Sequence, residues 1–112
     1  MISKYKYGEV WLATFVFDDD ESKYKARPVL VLGDYAVSLC GFKMTTRKPR
    51  DEHEYEVKYW KEAGLSKPTT IRTSKYIPLT DEIMIRKIGS LQPYDLLNFR
   101  KKLKEYTEAL KD

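Results

Sequence analysis

The segment "YKARPVLVLGD", residues 24–34, places one arginine directly before a proline at the start of an apolar run. A proline pushes the residue before it into extended geometry, so the backbone of Arg27 has a defined conformation. A guanidinium held in this way suits a phosphate group, which it binds through two parallel hydrogen bonds. The alternative is an ion pair between Arg27 and an acidic side chain at the edge of a loop, because such pairs are common.

A second segment, "KMTTRKPR" at residues 43–50, combines cations with hydroxyl groups and contains no acid. Its four cations and two hydroxyl side chains are Lys43, Arg47, Lys48, Arg50, Thr45 and Thr46. A phosphodiester needs cations along its backbone and neutral donors near its reacting oxygens. Because this segment and Arg27 come from neighbouring predicted strands, we expect them to meet at one rim. A solvated loop of charges is the alternative interpretation.

Other residues that can do chemistry favour structural roles. His53 is the only histidine, so one chain cannot form a two-histidine ribonuclease site, and a surface histidine is the preferred interpretation. The acidic run "DDDE" at residues 18–21 offers oxygen ligands for Mg²⁺, but no second acidic cluster completes a site, which favours a solvated loop. Cys40 lies in an apolar strand and is predicted to be a core residue.

Two further pairs of residues have a nucleic-acid interpretation. Tyr59 and Trp60 end a predicted strand and can stack on a base, although core or dimer packing explains them equally well. Arg72 and Lys75 share a predicted exposed strand with Thr73 and Ser74 and are candidates for contacts to an RNA backbone. The alternative for this second pair is an ordinary polar strand face.

Composition limits the class of protein. The 112 residues predict one domain, 1–112, and 42% hydrophobic with 34% charged residues is typical of a soluble globular protein. No apolar run approaches the roughly 18 residues of a membrane span, and the N-terminus has no signal-peptide pattern. One cysteine excludes an internal disulfide and fits a reducing cytoplasm. The net charge of +4 is a weak indication of an anionic partner.

Short apolar segments in the first two thirds of the chain predict strands, at residues 9–17, 28–32, 35–44, 53–60 and 69–79. Residues 28–32 form a continuous apolar run, which predicts a strand buried on both faces. Residues 18–25 are predicted to be a loop, Gly33–Asp34 a turn, and Gly41 a bend. The alternation within 53–60 places Tyr55, Val57 and Tyr59 on one face and Glu54, Glu56 and Lys58 on the other.

The last third predicts one helix. Residues 80–91 are ambiguous between a short helix capped by Thr80 and a final strand in "IRKIGSL". After them, Gln92 can cap a helix that has Pro93 at its first position. The apolar stripe that follows, at three- and four-residue steps, is Leu96, Phe99, Leu103, Tyr106 and Leu110. The fold class is therefore mainly β (α+β), a small bent antiparallel barrel with a C-terminal helix, because a parallel sheet would need helices between its strands.

The order of these segments resembles the MazF/PemK family of toxin endoribonucleases from type II toxin–antitoxin systems. The resemblance begins with "GEVWLATFVF", the charged loop, "KARPVLVL" and "KMTT". It continues through "EYEVKYWKEAGLSKPTTIRTSKYIPLTDEIMIRKIGSL", which looks like the PemK-like branch, and covers roughly residues 7–105. No single motif carries it; the order and spacing of all of them together do.

The resemblance implies an SH3-like barrel, a homodimer, and metal-independent cleavage of single-stranded RNA at short sequences without a cofactor. The family's catalytic arginine maps onto Arg27, and its catalytic threonine maps onto Thr45, with Thr46 left open. The other residues then expected to bind RNA are Lys23, Lys25, Lys43, Thr46, Arg47, Lys48, Arg50, Arg72 and Lys75. The implied protein partner is an antitoxin with a disordered acidic tail, for which a basic loop is physically suited.

Two other functions remain as alternatives. One is a gyrase-poison toxin on the same fold, which predicts a functional apolar C-terminus; this chain instead ends in the charged residues "LKD". The other is a non-catalytic SH3-like module that binds nucleic acid or protein. Such a module needs only a basic face and does not need Arg27 and Thr45 as a pair.

Overall fold

A computed structural model describes residues 5–17, 20–35 and 38–110, with the side chains of 16–24 and 33–39 outside the description. The elements in chain order are β1 (Glu9–Phe17), β2 (Asp20–Tyr35), β3 (Ser38–Thr45), β4 (Tyr55–Glu56), β5 (Thr70–Leu79), β6 (Met84–Ser90) and α1 (Pro93–Ala109). The strands form one antiparallel six-stranded sheet in the order β4-β5-β3-β2-β1-β6. The prediction of a mainly β fold with a C-terminal helix is confirmed.

The sheet is bent but does not close into a complete barrel, because its edge strands β4 and β6 do not pair. The chain after β4 packs on β6 instead. A Cβ atom added to Gly89 would lie 2.1 Å from the carbonyl oxygen of Ala63, and one added to Gly64 would lie 2.5 Å from that of Ile88. Gly64 also has a φ of 93°, which L side chains rarely adopt. Glycine at both positions therefore allows backbone to rest directly on backbone.

Strand β2 is buried on both of its faces, as its apolar run predicts. Leu30 packs in one cluster with Phe42 of β3 and Phe99 of α1. Val29 and Val31 point the other way, into a second cluster. All five side chains are almost completely buried. The middle of β2 is thus the most constrained part of the sheet, and the residues that precede it emerge from a rigid element.

Two predictions about the ends of β2 are wrong. Residues 20–25, predicted as part of a loop, belong to β2 and pair with β1, for example Lys25 with Phe15. Charge and lack of periodicity do not exclude a strand, because the strand conformation of this arm is set by its pairing with β1. At the other end, Gly33 lies at an irregularity in the pairing with β3, and the strand continues to Tyr35. Glycine here marks a β-bulge instead of a turn.

The predicted strand 53–60 is reduced to the two residues of β4. Tyr55 and Val57 are both buried, as residues that share a face can be, but Glu54 of the other set is buried too, at 5% exposure, and Tyr59 is 37% exposed. The Glu54 carboxylate accepts a hydrogen bond from the Arg50 N–H and pairs with Arg72. After Val57 the chain leaves the sheet: the backbone N–H groups of Lys58 and Tyr59 donate to Asp95 instead of to a neighbouring strand. The alternation pattern ends where these hydrogen bonds begin.

The connection from β5 to α1 resolves the ambiguity in 80–91. Residues 81–83 form a turn, with the N–H of Ile83 donating to the carbonyl of Thr80, and a final strand follows. Helix α1 begins at Pro93 as predicted, but the side chain of Gln92 makes no capping hydrogen bond. Of the predicted stripe, Phe99 is fully buried, whereas Leu110 is 65% exposed at the end of the helix.

Asp95 fixes the start of α1 to the segment after β4. Its side chain is fully buried, and its Oδ1 accepts hydrogen bonds from the Tyr55 hydroxyl at 2.6 Å and from the Lys58 N–H at 2.8 Å. Its Oδ2 accepts from the Tyr59 N–H at 2.8 Å. A buried carboxylate with three donors satisfies polar groups that would otherwise be costly to bury.

Tyr55 gives the protein a predicted sensitivity to alkaline pH. Burial, together with the hydrogen bond to Asp95, raises the pKa of Tyr55 far above its ordinary value of about 10. A raised folded-state pKa means that the stabilisation is complete below about pH 10 and is lost as pH rises further. We expect the free energy of unfolding, measured by urea denaturation from pH 9 to 11, to fall less steeply for Tyr55→Phe than for the wild type. Equal slopes would contradict this assignment.

Candidate active site

Arg27 lies where β2 emerges from the core, paired with Ala13 of β1. Its side chain is exposed, and its Nη1 donates a 3.4 Å hydrogen bond to the carbonyl oxygen of Ala26. Within the described part of the chain no carboxylate pairs with it. The ion-pair alternative for Arg27 therefore finds no support among these residues, and the guanidinium is available to a ligand.

Thr45 is the last residue of β3, the strand next to β2. The two strands pair through Val29 and Lys43, and extending that antiparallel register by two residues places Arg27 across from Thr45. Side chains alternate along a strand, so Arg27 lies on the same face as Val29, and Thr45 on the same face as Lys43. The arginine and the threonine thus share one rim and one face of the sheet.

The two threonines at the end of β3 face opposite ways. The Thr45 hydroxyl accepts a 3.2 Å hydrogen bond from the Arg47 N–H, which leaves its own proton free to be donated. Thr46 is exposed and lines a cleft on the other face of the sheet. Sharing a face with Arg27 is therefore a property of Thr45 and not of Thr46.

The segment 43–50, here called the basic loop, places positive charge beside this rim. Lys43 is half-buried, with its Nζ 4.7 Å from the ring centroid of Phe15 on β1. Arg47, Lys48 and Arg50 are exposed. Among the described residues, none of these four cations forms an ion pair. The loop is consequently a concentration of uncompensated charge beside Arg27 and Thr45.

The remaining predicted RNA contacts are distributed less evenly. Lys25 is exposed on β2, two residues from Arg27 and on the same face, whereas the side chain of Lys23 lies outside the described residues. Lys75 is exposed on β5. Arg72 is engaged with the buried Glu54, its Nε 3.3 Å from Oε2, and Thr73, expected on an exposed face, is buried. RNA binding by Arg72 stays a prediction, and the contact with Glu54 is its observed role.

An open cleft of about 240 Å³ adjoins the rim on the face opposite Arg27 and Thr45. Its apolar wall is formed by Leu12, Pro28, Leu65 and Ile88. Polar side chains complete it, namely Thr46, Ser66, Lys67, Thr69 and Arg86. Two of these residues, Pro28 and Thr46, directly follow Arg27 and Thr45 in the chain. The cleft and the face that carries Arg27 and Thr45 therefore meet at the same rim, where β3 ends.

The other residues considered for catalysis or metal binding make contacts that fit structural roles. The ring of His53 lies 5.2 Å from that of Tyr106 at an interplanar angle of 60°, and its Nε2 lies 3.6 Å from the side chain of Glu52. Cys40 is buried and accepts a hydrogen bond from the Tyr76 hydroxyl, in agreement with its predicted core position. The acidic run 18–21 lies outside the described side chains. Among the residues that are described, no group of three or more potential metal ligands occurs.

Sequence reasoning missed two kinds of residue. Asp95 was not singled out, although it lies four residues before Phe99 and therefore on the inner face of α1, a spacing that could have revealed it. The cations of the cleft, Lys67 and Arg86, come from the segment after β4 and from β6. Nothing in the sequence brings these distant segments together with Pro28, because β6 reaches the site only through its pairing with β1.

No helical segment in the described ranges combines the length and hydropathy that crossing a bilayer requires.

Comparison with curated protein sequences gives no match. Comparison with solved structures shows the fold. The Mycobacterium tuberculosis toxin MazF-mt6 is 20% identical, with a TM-score of 0.67 over 89% of this chain and 96% of the toxin. An endoribonuclease from a mycobacterial species, solved in complex with its cognate antitoxin, is 13% identical, with a TM-score of 0.65 over 88% of this chain and 90% of that one.

The family is shown by a separate comparison. Residues 6–107 match the family model of the PemK-like, MazF-like toxins of type II toxin–antitoxin systems. The match covers almost the whole chain and includes all six strands, the basic loop and most of α1. The protein belongs to this family of endoribonuclease toxins.

Proposed function

We propose that the protein cleaves single-stranded RNA at short sequences without a metal ion, with Arg27 and Thr45 as the catalytic residues. The observation that supports this most strongly is their placement: both lie at one rim and on one face of the sheet, in register across β2 and β3. The exposed guanidinium of Arg27 has no carboxylate partner among the described residues, and the basic loop lies beside it.

The reaction that fits these groups is an internal transesterification. The 2′-hydroxyl of the RNA attacks the neighbouring phosphorus and loses its proton, while the bond from phosphorus to the 5′-oxygen breaks and that oxygen gains a proton. The products are a 2′,3′-cyclic phosphate and a 5′-hydroxyl. Negative charge builds up on the phosphate oxygens in the transition state, so a fixed guanidinium that donates to them lowers the barrier.

The roles of the two residues follow from their chemistry. Arginine is always protonated in proteins and is therefore a poor general base, so charge stabilisation is the role assigned to Arg27. The Thr45 hydroxyl donates a further hydrogen bond and orients the phosphate. Lys25, Lys43, Arg47, Lys48 and Arg50 surround these two residues and bind the RNA backbone, a contribution that weakens as salt concentration rises.

Partners follow from the same surface. A cognate antitoxin with an acidic segment binds the rim. The family's toxin–antitoxin context and the net charge of +4 support this partner.

A homodimer in the cytoplasm is the proposed working form. Exposed apolar side chains, such as Leu97 at 54% and Ile85 at 52% exposure, support self-association.

Substitution of the two threonines separates their roles. We expect Thr45→Val to lower kcat about 10-fold, the effect of losing one hydrogen bond worth about 1.4 kcal/mol in the transition state. Thr46→Val is expected to act on KM instead, because its side chain faces the cleft and not Arg27. Steady-state cleavage of a labelled oligonucleotide measures both constants. A loss of kcat confined to the Thr46 variant would exchange the two assignments.

The proposal is tested by incubating the purified protein with a long unstructured RNA in EDTA and mapping the cut ends. Discrete cuts with 5′-hydroxyl and cyclic-phosphate ends are the expected result. RNA that stays intact with a folded protein, or is cut only after a divalent metal is added back, would overturn the proposal. Intact RNA under both conditions would favour the gyrase-poison or the non-catalytic module.

A further inference from the structure

The cleft behind the catalytic rim has the size and the lining of a site for one nucleobase. Its volume of about 240 Å³ is smaller than the roughly 300–1,000 Å³ typical of pockets for drug-sized ligands. Leu12, Pro28, Leu65 and Ile88 supply apolar surface for the flat faces of a base.

The position of the cleft connects it to the reaction. Pro28 and Thr46, which line it, are the chain neighbours of Arg27 and Thr45. Adjacent residues of a strand point to opposite faces, so a phosphate held by Arg27 and a base in the cleft would lie on either side of the same sheet edge. Proteins that recognise single-stranded RNA commonly splay bases out of the strand into such sites.

The polar groups of the cleft are rich in hydrogen-bond donors. Lys67 and Arg86 carry positive charge, and among the described residues neither forms an ion pair. Other cations are neutralised: Lys87, the neighbour of Arg86, lies 2.9 Å from the buried Glu9. Thr46 and Ser66 add hydroxyl groups, and no carboxylate lines the cleft. The site therefore offers strong donors and no strong acceptor.

We propose that this cleft binds the base next to the scissile phosphate and that Arg86 selects a keto base, guanine or uracil, through its carbonyl edge. The inference rests on the function proposed above. Guanine presents O6 and N7 as acceptors to a guanidinium, and uracil, like thymine, presents O4. Adenine and cytosine instead present an exocyclic amino group, a donor that cannot pair with the donor groups of a guanidinium, and no carboxylate lines the cleft to accept from it.

The test compares Arg86→Ala with Arg100→Ala, which removes the same charge from an exposed position on α1. Cleavage rates are measured on four RNA oligonucleotides that carry each base in turn at the mapped positions beside the cut. The wild type and the Arg100 variant are expected to prefer guanine or uracil over adenine and cytosine about 10-fold or more at one position, since a good base contact discriminates by 1–3 kcal/mol. Arg86→Ala is expected to lose that preference.

Arg86→Lys distinguishes base reading from charge. Lysine keeps the charge but not the planar fork, so it should retain backbone affinity while its base preference falls. A preference for adenine or cytosine, or an equal rate loss for all four RNAs in Arg86→Ala, would overturn the proposal. Thermal unfolding of each variant confirms that the fold is intact.

A binding arm separates failure of this inference from failure of the proposed function. The Arg27→Ala protein, in which cleavage is expected to be very slow, is titrated with the same four oligonucleotides carrying a fluorescent label. Tighter binding of the guanine or uracil RNA, lost when Arg86→Ala is added, supports the cleft even if the wild type proves inactive. Equal binding of all four RNAs, beside an active wild type, overturns the cleft and leaves the ribonuclease function standing.

Discussion

Replacing Arg27 with alanine is expected to lower kcat for RNA cleavage by about 100- to 1,000-fold, the usual cost of removing one donor from a preorganised anion site. The loss follows because the guanidinium stabilises charge that develops only in the transition state, so KM should change much less. Single-turnover rates on a labelled oligonucleotide measure the effect. The kcat of Arg27→Lys should lie between those of the wild type and Arg27→Ala, since lysine keeps the charge but not the two parallel donors.

The controls for Arg27 are set by its surroundings. Its side chain is exposed and makes one long hydrogen bond, to the carbonyl of Ala26, so stability should change by less than about 0.5 kcal/mol. Arg100→Ala removes a charge of the same sign far along the chain and should leave the rate unaltered. If Arg27→Ala cut RNA at the wild-type rate, the assignment of Arg27 as a catalytic residue would be wrong, even though the protein would still be a ribonuclease.

The largest effect on stability is expected from Asp95→Ala, a decrease in the free energy of unfolding of about 3–5 kcal/mol. The substitution leaves three donors without an acceptor: the buried Tyr55 hydroxyl and the partly buried N–H groups of Lys58 and Tyr59. It also removes a negative charge from the first turn of α1, where the helix dipole favours one. Urea denaturation at neutral pH measures the change.

Glu105→Ala provides the matched control, because Glu105 is an exposed acid on the same helix. Its effect should stay within about 0.5 kcal/mol. A decrease of less than about 1 kcal/mol for Asp95→Ala would show that the three hydrogen bonds are replaced by water, and that Asp95 does not hold the segment after β4 in place.

The sequence predicted the core of the fold well where one physical pattern acted alone. The apolar run 28–32 became the doubly buried centre of β2, and the 3.6-residue pattern after Pro93 became α1. Prediction failed where tertiary contacts replaced local patterns. The alternation ends after Val57 because Asp95, 37 positions after Lys58, accepts hydrogen bonds from the backbone N–H groups that a strand would have used.

The candidate site shows the same division. Arg27 and Thr45 could be placed on neighbouring strands from the sequence, because a proline and the end of an apolar strand mark their positions. Which threonine shares a face with Arg27 required the register of β2 and β3. The cleft could not be predicted, since Arg86 reaches it through the pairing of β6 with β1, and Leu65 through the contact of Gly64 and Gly89 with the opposing backbone.

The most direct test of the mechanism removes the proposed nucleophile, the 2′-hydroxyl, from the substrate. An oligonucleotide is made with the mapped cleavage sequence, and the 2′-hydroxyl on the 5′ side of the cut is replaced by hydrogen. Cleavage by the wild-type protein in EDTA should then stop at that position, while binding stays close to that of the all-RNA control, because the proposed nucleophile is missing and the phosphate is not. Continued cleavage at the same phosphate would contradict attack by the 2′-hydroxyl, and with it the assignment of Arg27 and Thr45 to that reaction.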